Sequence, residues 1–96
     1  MIHGKWKIPI LISLSYGPKR FGEIQRDIDV ISPKMLSQEL QDLERHRLLT
    51  RTVYDSKPVA VEYALTPLGI SLDRLLEELM IWGERFRNEI LRVKES

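Results

Sequence analysis

The sequence predicts a mainly α chain with one small β-hairpin, and three observations carry that prediction. Two short segments with apolar residues at helical spacing, about 21–28 and 33–46, are joined by only a few residues. Two runs rich in β-branched and aromatic residues then flank a turn cluster, Asp55-Ser56-Lys57-Pro58. Finally, large apolar residues keep helical spacing from Leu68 to Val93. Short helix, tight turn, second helix and hairpin, in that order, have the proportions of a winged helix-turn-helix with a long C-terminal helix.

The elements follow in chain order. Trp6, Ile10, Leu11 and Leu14 predict a first helix over roughly Lys5 to Ser15. Pro9 is tolerated only within a first turn, so the spacing places the true start near Trp6 to Ile8. Gly17-Pro18 stops the helix. Phe21, Ile24 and Ile28 share one side of a short second helix, and Asp29-Val30-Ile31 connects it to Ser32-Pro33. Serine before proline is a strong start: the hydroxyl caps a free N–H and proline preorganises the first helical residue. Met35 stands where a complete capping box would have Glu or Gln.

The third helix, Pro33 to about His46, carries Leu36, Leu40 and Leu43 as its buried stripe. Leu48 to Asp55 and Val59 to Thr66 alternate as two strands, and Thr66-Pro67 repeats the serine-proline type of start for the last helix. Leu68, Leu72, Leu75, Leu79, Trp82, Phe86, Ile90 and Val93 form its stripe, with Gly83 inside it as a possible bend.

Composition bounds the function. Ninety-six residues suit one domain spanning 1–96, with a polyanion-reading part at about 17–66 and an association helix at about 67–93. With no cysteine in the sequence, disulfides, thiolate metal sites and thiol nucleophiles are excluded. His3 and His46 lie on different elements, and no Ser/His/Asp set, phosphate loop or metal-ligand spacing occurs, so neither an enzyme nor a cofactor nor a metal is expected. The run Ile8-Pro9-Ile10-Leu11-Ile12 is too short to span a bilayer, and the N-terminus lacks a signal-peptide layout; a cytoplasmic protein with no membrane partner is expected. Net charge is +1, but residues 1–57 hold ten Lys/Arg against seven Asp/Glu while residues 58–96 hold five against seven. One side could therefore face a polyanion, although random scatter explains the split equally well.

The third helix is the informative one. With its leucines inward, Lys34, Ser37, Gln38, Gln41 and Arg45 fall on a single outer face. Such groups can read base edges in a major groove, glutamine pairing with adenine and lysine or arginine with guanine. Lys34, Ser37, Gln38 and Gln41 are the candidate base contacts. Lys19, Arg20, Ser32, Arg45, Arg51 and Lys57 are the candidate backbone contacts, blind to sequence. Any surface helix shows a polar outer face; its place between a short helix and a hairpin favours the reading role.

These residues resemble the HxlR family of bacterial and archaeal winged-helix regulators. The resemblance runs through Gly4-Lys5-Trp6, Gly17-Pro18-Lys19-Arg20-Phe21, Glu23-Ile24, Ile31-Ser32, Lys34-Met35-Leu36, Gln38 to Leu40 and Leu43-Glu44. It continues in Arg51-Thr52-Val53-Tyr54, Val61-Glu62-Tyr63, Leu65-Thr66, Gly69 and Trp82-Gly83. It implies a dimeric, prokaryotic DNA-binding regulator of transcription. The family's electrophile-sensing cysteine has no counterpart, Pro9 replaces an aliphatic residue, and Ala60 stands where a basic wing residue is frequent.

Dimerisation is also expected from length. A helix of about 25 residues is about 38 Å long, whereas a compact chain of this size is about 32 Å across. If continuous, the last helix overhangs, with Leu79, Trp82, Phe86, Ile90 and Val93, joined by Trp6, as the candidate dimer interface; a fold-back at Gly83 would instead leave a monomer. Two recognition helices would then read half-sites of a near-palindromic duplex about 34 Å apart. A winged-helix module that binds protein instead of DNA is the alternative. A small-molecule effector has room between the first and last helices, with no residue arguing for one.

Overall fold

The computed structural model describes residues 4–95, with side-chain placement for residues 5–90; His3 and the side chain of Val93 lie outside the described residues. The elements are α1 (Gly4–Ser15), β1 (Lys19–Arg20), α2 (Phe21–Ile28), α3 (Pro33–Arg45), β2 (Leu49–Tyr54), β3 (Ala60–Leu65) and α4 (Pro67–Glu95). The hairpin β2–β3 is extended by β1 into an antiparallel sheet of order β1-β3-β2. Lys19 pairs with Tyr63 and Arg20 with Glu62, while Leu49 to Tyr54 pair with Leu65 to Ala60.

α1 begins at Gly4, earlier than Pro9 suggests, so Pro9 stands past the first turn. A proline there has no N–H for the Lys5 carbonyl and crowds it. Burial offsets the loss, because Ile10, Leu11 and Leu14 are all in the core and Trp6 packs against it. This is tertiary packing overriding a local signal. Gly17, at φ +133, ends the helix with its N–H on the Leu14 carbonyl at 3.1 Å.

The core joins α1 to Ile24 of α2, Ile31 of the turn, Leu36, Leu40 and Leu43 of α3, and Leu49 and Tyr63 of the sheet. Every helix-turn-helix element therefore contributes to one cluster, which fixes where α3 presents its outer face. α3 ends in a Schellman motif: the Arg47 N–H reaches the Glu44 carbonyl at 2.9 Å and the Leu48 N–H the Leu43 carbonyl at 3.0 Å. Arg47 occupies the left-handed position, φ +62, where glycine is usual.

Thr66 closes a corner between α3 and α4. Its N–H donates to the Leu48 carbonyl at 3.1 Å and its hydroxyl to the Arg47 carbonyl at 2.7 Å. The same hydroxyl oxygen accepts the Gly69 N–H at 3.0 Å, capping α4. Gly69 is buried so tightly against Leu48 that a Cβ there would sit 2.0 Å from its carbonyl oxygen.

The radius of gyration is 16.6 Å and the extents 65 × 27 × 21 Å, against about 12.5 Å for a compact chain of this length. The difference is α4. Leu72 and Leu76 pack on the core, but Leu79, Trp82 and Phe86 are 54%, 60% and 52% exposed. Trp82 and Phe86 stack at 5.2 Å with their rings 11° apart. No helix among the described residues is long and apolar enough to cross a membrane.

Candidate nucleic-acid interface

α3, the candidate reading helix, is set by its start. Ser32 is extended (φ −74, ψ 153) and its hydroxyl accepts the Met35 N–H at 3.1 Å, with Pro33 in the first turn. The turn before it is held by Asp29, at φ 69, whose N–H donates to the Gln25 carbonyl at 2.8 Å, and by Ile31, which is buried. With Leu36, Leu40 and Leu43 inward, Lys34, Gln38 and Gln41 are exposed and Ser37 is half-buried at the edge of the same face.

Arg45 continues that face, its Nη1 3.2 Å from Asp42 Oδ1, and remains largely in solvent. Gln38, Gln41 and Arg45 also line, with Trp6, Met35, Glu39 and Asp42, a groove of about 300 Å³ between α1 and α3. Trp6 itself is half-buried against its own core, with the Lys5 ammonium 5.0 Å from its ring centre.

The expected backbone contacts fall into different settings. Arg20, Ser32, Arg51 and Lys57 are exposed. The Arg20 N–H donates to Glu23 Oε1 at 2.8 Å, which fixes the entry to α2 and leaves its guanidinium outward. Lys57 sits in the hairpin turn, where its bond to Pro58 is cis. Arg51 pairs across β3 with Tyr63, which pairs on its other side with Lys19, so the two cations share one row of the sheet. Tyr54 donates to Glu62 Oε1 at 3.1 Å on the wing, and that carboxylate raises the phenol above its ordinary pKa.

Lys19 is engaged internally. Its ammonium pairs with Asp27, lies 3.4 Å from Ser13 Oγ and sits 5.6 Å from the Tyr16 ring centre. Buried Ser13 donates to the same Asp27 carboxylate at 2.7 Å. Hydrogen bonds from Lys19 and then Ser13 hold the Asp27 carboxyl below its ordinary pKa.

Three residues with a bearing on the site were not singled out by sequence pattern. Glu39, on α3, is 5% exposed and accepts Lys7 Nζ of α1 at 3.1 and 3.4 Å. The same ammonium is 2.8 Å from Asp42 Oδ2. Burial opposes the Lys7 charge, but hydrogen bonds to Asp42 and Glu39 outweigh it and raise its pKa; the bond from Lys7 lowers that of Asp42. The one sequence signal was Glu39 itself, a charged residue three positions from Leu36 on the edge of an apolar stripe.

A helix started by Ser32-Pro33, a polar outer face on a leucine stripe and a following hairpin are the parts of a helix-turn-helix DNA reader. Comparison with known proteins agrees. Residues 1–91 match the family model described as HxlR-like helix-turn-helix. The chain belongs to the HxlR-like helix-turn-helix family. Its relatives include the HTH-type transcriptional regulator YodB of Bacillus subtilis, 39% identical over 82 residues, covering 85% of this chain and 73% of YodB. YtcD of the same organism, named an uncharacterised HTH-type transcriptional regulator, is 41% identical over 90 residues, 94% of this chain and 71% of YtcD.

Solved structures place the HxlR-like chain alike. Reduced YodB superposes with a TM-score of 0.80 at 39% identity, covering 85% of this chain and 80% of that one. The redox regulator HypR in its oxidised form gives 0.77 at 36%, covering 85% and 84%. The family is one of DNA-binding transcriptional regulators and not an enzyme class.

Proposed function

We propose that this chain binds duplex DNA with sequence preference, as a homodimer, and regulates transcription from a near-palindromic operator. The carrying observation is α3: a capped helix, locked by three buried leucines, whose Lys34, Gln38 and Gln41 stand in solvent with Ser37 at their edge. In this arrangement α3 enters the major groove and those four groups meet base edges. Residues 17–66 form the DNA-reading part. Ser32, Arg20 and Arg45 meet phosphates beside α3, and the wing cations Arg51 and Lys57 meet the backbone on the flank. Lys19 reaches phosphate only by leaving Asp27, so it contributes least.

The dimer reading rests on α4. Its Leu79, Trp82, Phe86 and Ile90 form an apolar row that is 42–60% exposed, and rows of this kind mark association surfaces. Burying four such side chains contributes on the order of 6–12 kcal/mol before association costs. Val93 extends the row in sequence.

Selection from a random duplex pool, followed by titration at several salt concentrations, tests the reading. A recovered sequence with half-sites about 34 Å apart is expected, and affinity should fall steeply with salt. Gln38→Ala should relax preference at one base pair by about 1–3 kcal/mol, whereas Arg51→Ala should weaken all sequences alike. No affinity for any duplex at low ionic strength would refute it and leave protein recognition as the use of the fold.

A further inference from the structure

We infer that Lys7 is a positioning residue for sequence reading: from α1 it grips Glu39 and Asp42 of α3 and fixes the roll of the recognition helix. The inference rests on the DNA reading above.

Three leucines hold α3 against the core, but Leu36, Leu40 and Leu43 lie on one stripe. A single apolar stripe is non-directional and restrains distance better than rotation about the helix axis. Rotation matters here. A base-edge hydrogen bond needs its partners at about 2.7–3.2 Å, and the side chains at issue project from the outer side of a cylinder about 5 Å in radius. A roll of about 15° would displace them by more than 1 Å, enough to misalign a bidentate pair.

Glu39 and Asp42 are one turn apart on the edge of α3 that faces α1. Lys7 Nζ lies 3.1 Å from Glu39 Oε1 and 2.8 Å from Asp42 Oδ2. One ammonium thus ties two points of the helix edge to a neighbouring helix, which a single ion pair could not do against rotation. The grip is mostly out of water, with side-chain exposure of 21% for Lys7 and 7% for Glu39, so solvent screens it little. Asp42 also holds Arg45 at 3.2 Å, which carries the restraint onto a phosphate-facing side chain. The same contacts give α1 a second role beyond filling the core with Ile10, Leu11 and Leu14.

The test must separate positioning from stability. Lys7→Met alone would strand a buried carboxylate and weaken the fold, so the informative variant is Lys7→Met with Glu39→Met. It removes one charge of each sign, leaves net charge unchanged and replaces the pair by apolar volume. Affinities are measured for the duplex selected by the wild-type chain and for a scrambled duplex of equal length, together with the thermal midpoint. The inference predicts that the ratio of the two affinities falls about tenfold in a folded double variant. Lys7→Arg, whose fork can hold both carboxylates, should keep the wild-type ratio. A double variant with an unchanged ratio, whatever its thermal midpoint, would overturn the positioning role. A wild-type chain that binds no duplex would overturn it together with the DNA reading on which it rests.

Discussion

Gly69→Ala sets two known effects against each other, and the fold decides between them. On helix propensity alone alanine would stabilise α4 by about 1 kcal/mol. Packing opposes it, because the new Cβ would lie 2.0 Å from the Leu48 carbonyl oxygen and 3.2 Å from the Leu65 side chain. Even a C–H···O contact needs about 3.3 Å, so α4 must withdraw from Leu48 by more than about 1 Å. That movement stretches the Thr66 N–H bond to Leu48 and the Thr66 hydroxyl bond to Arg47, now 3.1 and 2.7 Å.

Two hydrogen bonds at about 1 kcal/mol each and overpacking of about 1–3 kcal/mol exceed the propensity gain. The net loss is about 2–4 kcal/mol, a large part of the roughly 5–15 kcal/mol of a whole domain. Urea unfolding followed by circular dichroism measures it, at one protein concentration because association shifts apparent stability. Gly83→Ala is the comparison: nothing among the described residues of its own chain lies within 4 Å of its Cβ, so no clash within the chain offsets the propensity gain of up to about 1 kcal/mol. A Gly69→Ala chain as stable as wild type would refute the account of this corner.

Replacing Trp82 and Phe86 together by alanine should raise the dimer dissociation constant by about two to four orders of magnitude; sedimentation velocity over a dilution series would detect it, and an unchanged mass would count against α4 as the interface. The depressed carboxyl of Asp27 gives stability that is complete above the unfolded-state pKa of about 3.9 and lost as pH falls through the lower folded value. Asp27→Asn should therefore lower the thermal midpoint near neutrality and flatten its acid limb, so that variant and wild type converge at low pH. Ser32→Ala removes the acceptor of the Met35 N–H and should destabilise by about 1 kcal/mol, read as a shift in urea midpoint at unchanged slope.

Most of the fold was legible because its boundaries are written in strong local chemistry. Gly17-Pro18, Ser32-Pro33 and Thr66-Pro67 each mark a helix end through backbone geometry, and the leucines between them fix which face is buried. β1 was not legible: Lys19 and Arg20 are too few to show a period, and they become a strand only because β3 offers Tyr63 and Glu62. The start of α1 was misread because proline is a local penalty, while the packing of Trp6 and Ile10 is set by residues far along the chain.

The exposure of the candidate face was legible, and the contacts beneath it were not. Exposure of Lys34, Gln38 and Gln41 follows from helical spacing alone. The grip of Lys7 on Glu39 and Asp42 spans more than thirty positions, and no periodicity in either segment encodes which lysine meets which carboxylate. The long stripe of α4 likewise conceals a division: Leu72 and Leu76 turn to the core while Leu75 and Leu79 turn away.

The Thr66 corner has a consequence for how wings can vary. Thr66 already donates one hydrogen bond to Arg47 and one to Leu48 at the base of the hairpin, so the chain between them hangs from a closed ring. Residues added at the tip, around Ser56 and Lys57, lengthen the ring without prising its clasp, and each doubling of a flexible loop costs only about 0.6 kcal/mol. The reach of the wing is thus a free coordinate, tunable without disturbing the angle between α3 and α4. A single methyl group at position 69 has no such freedom.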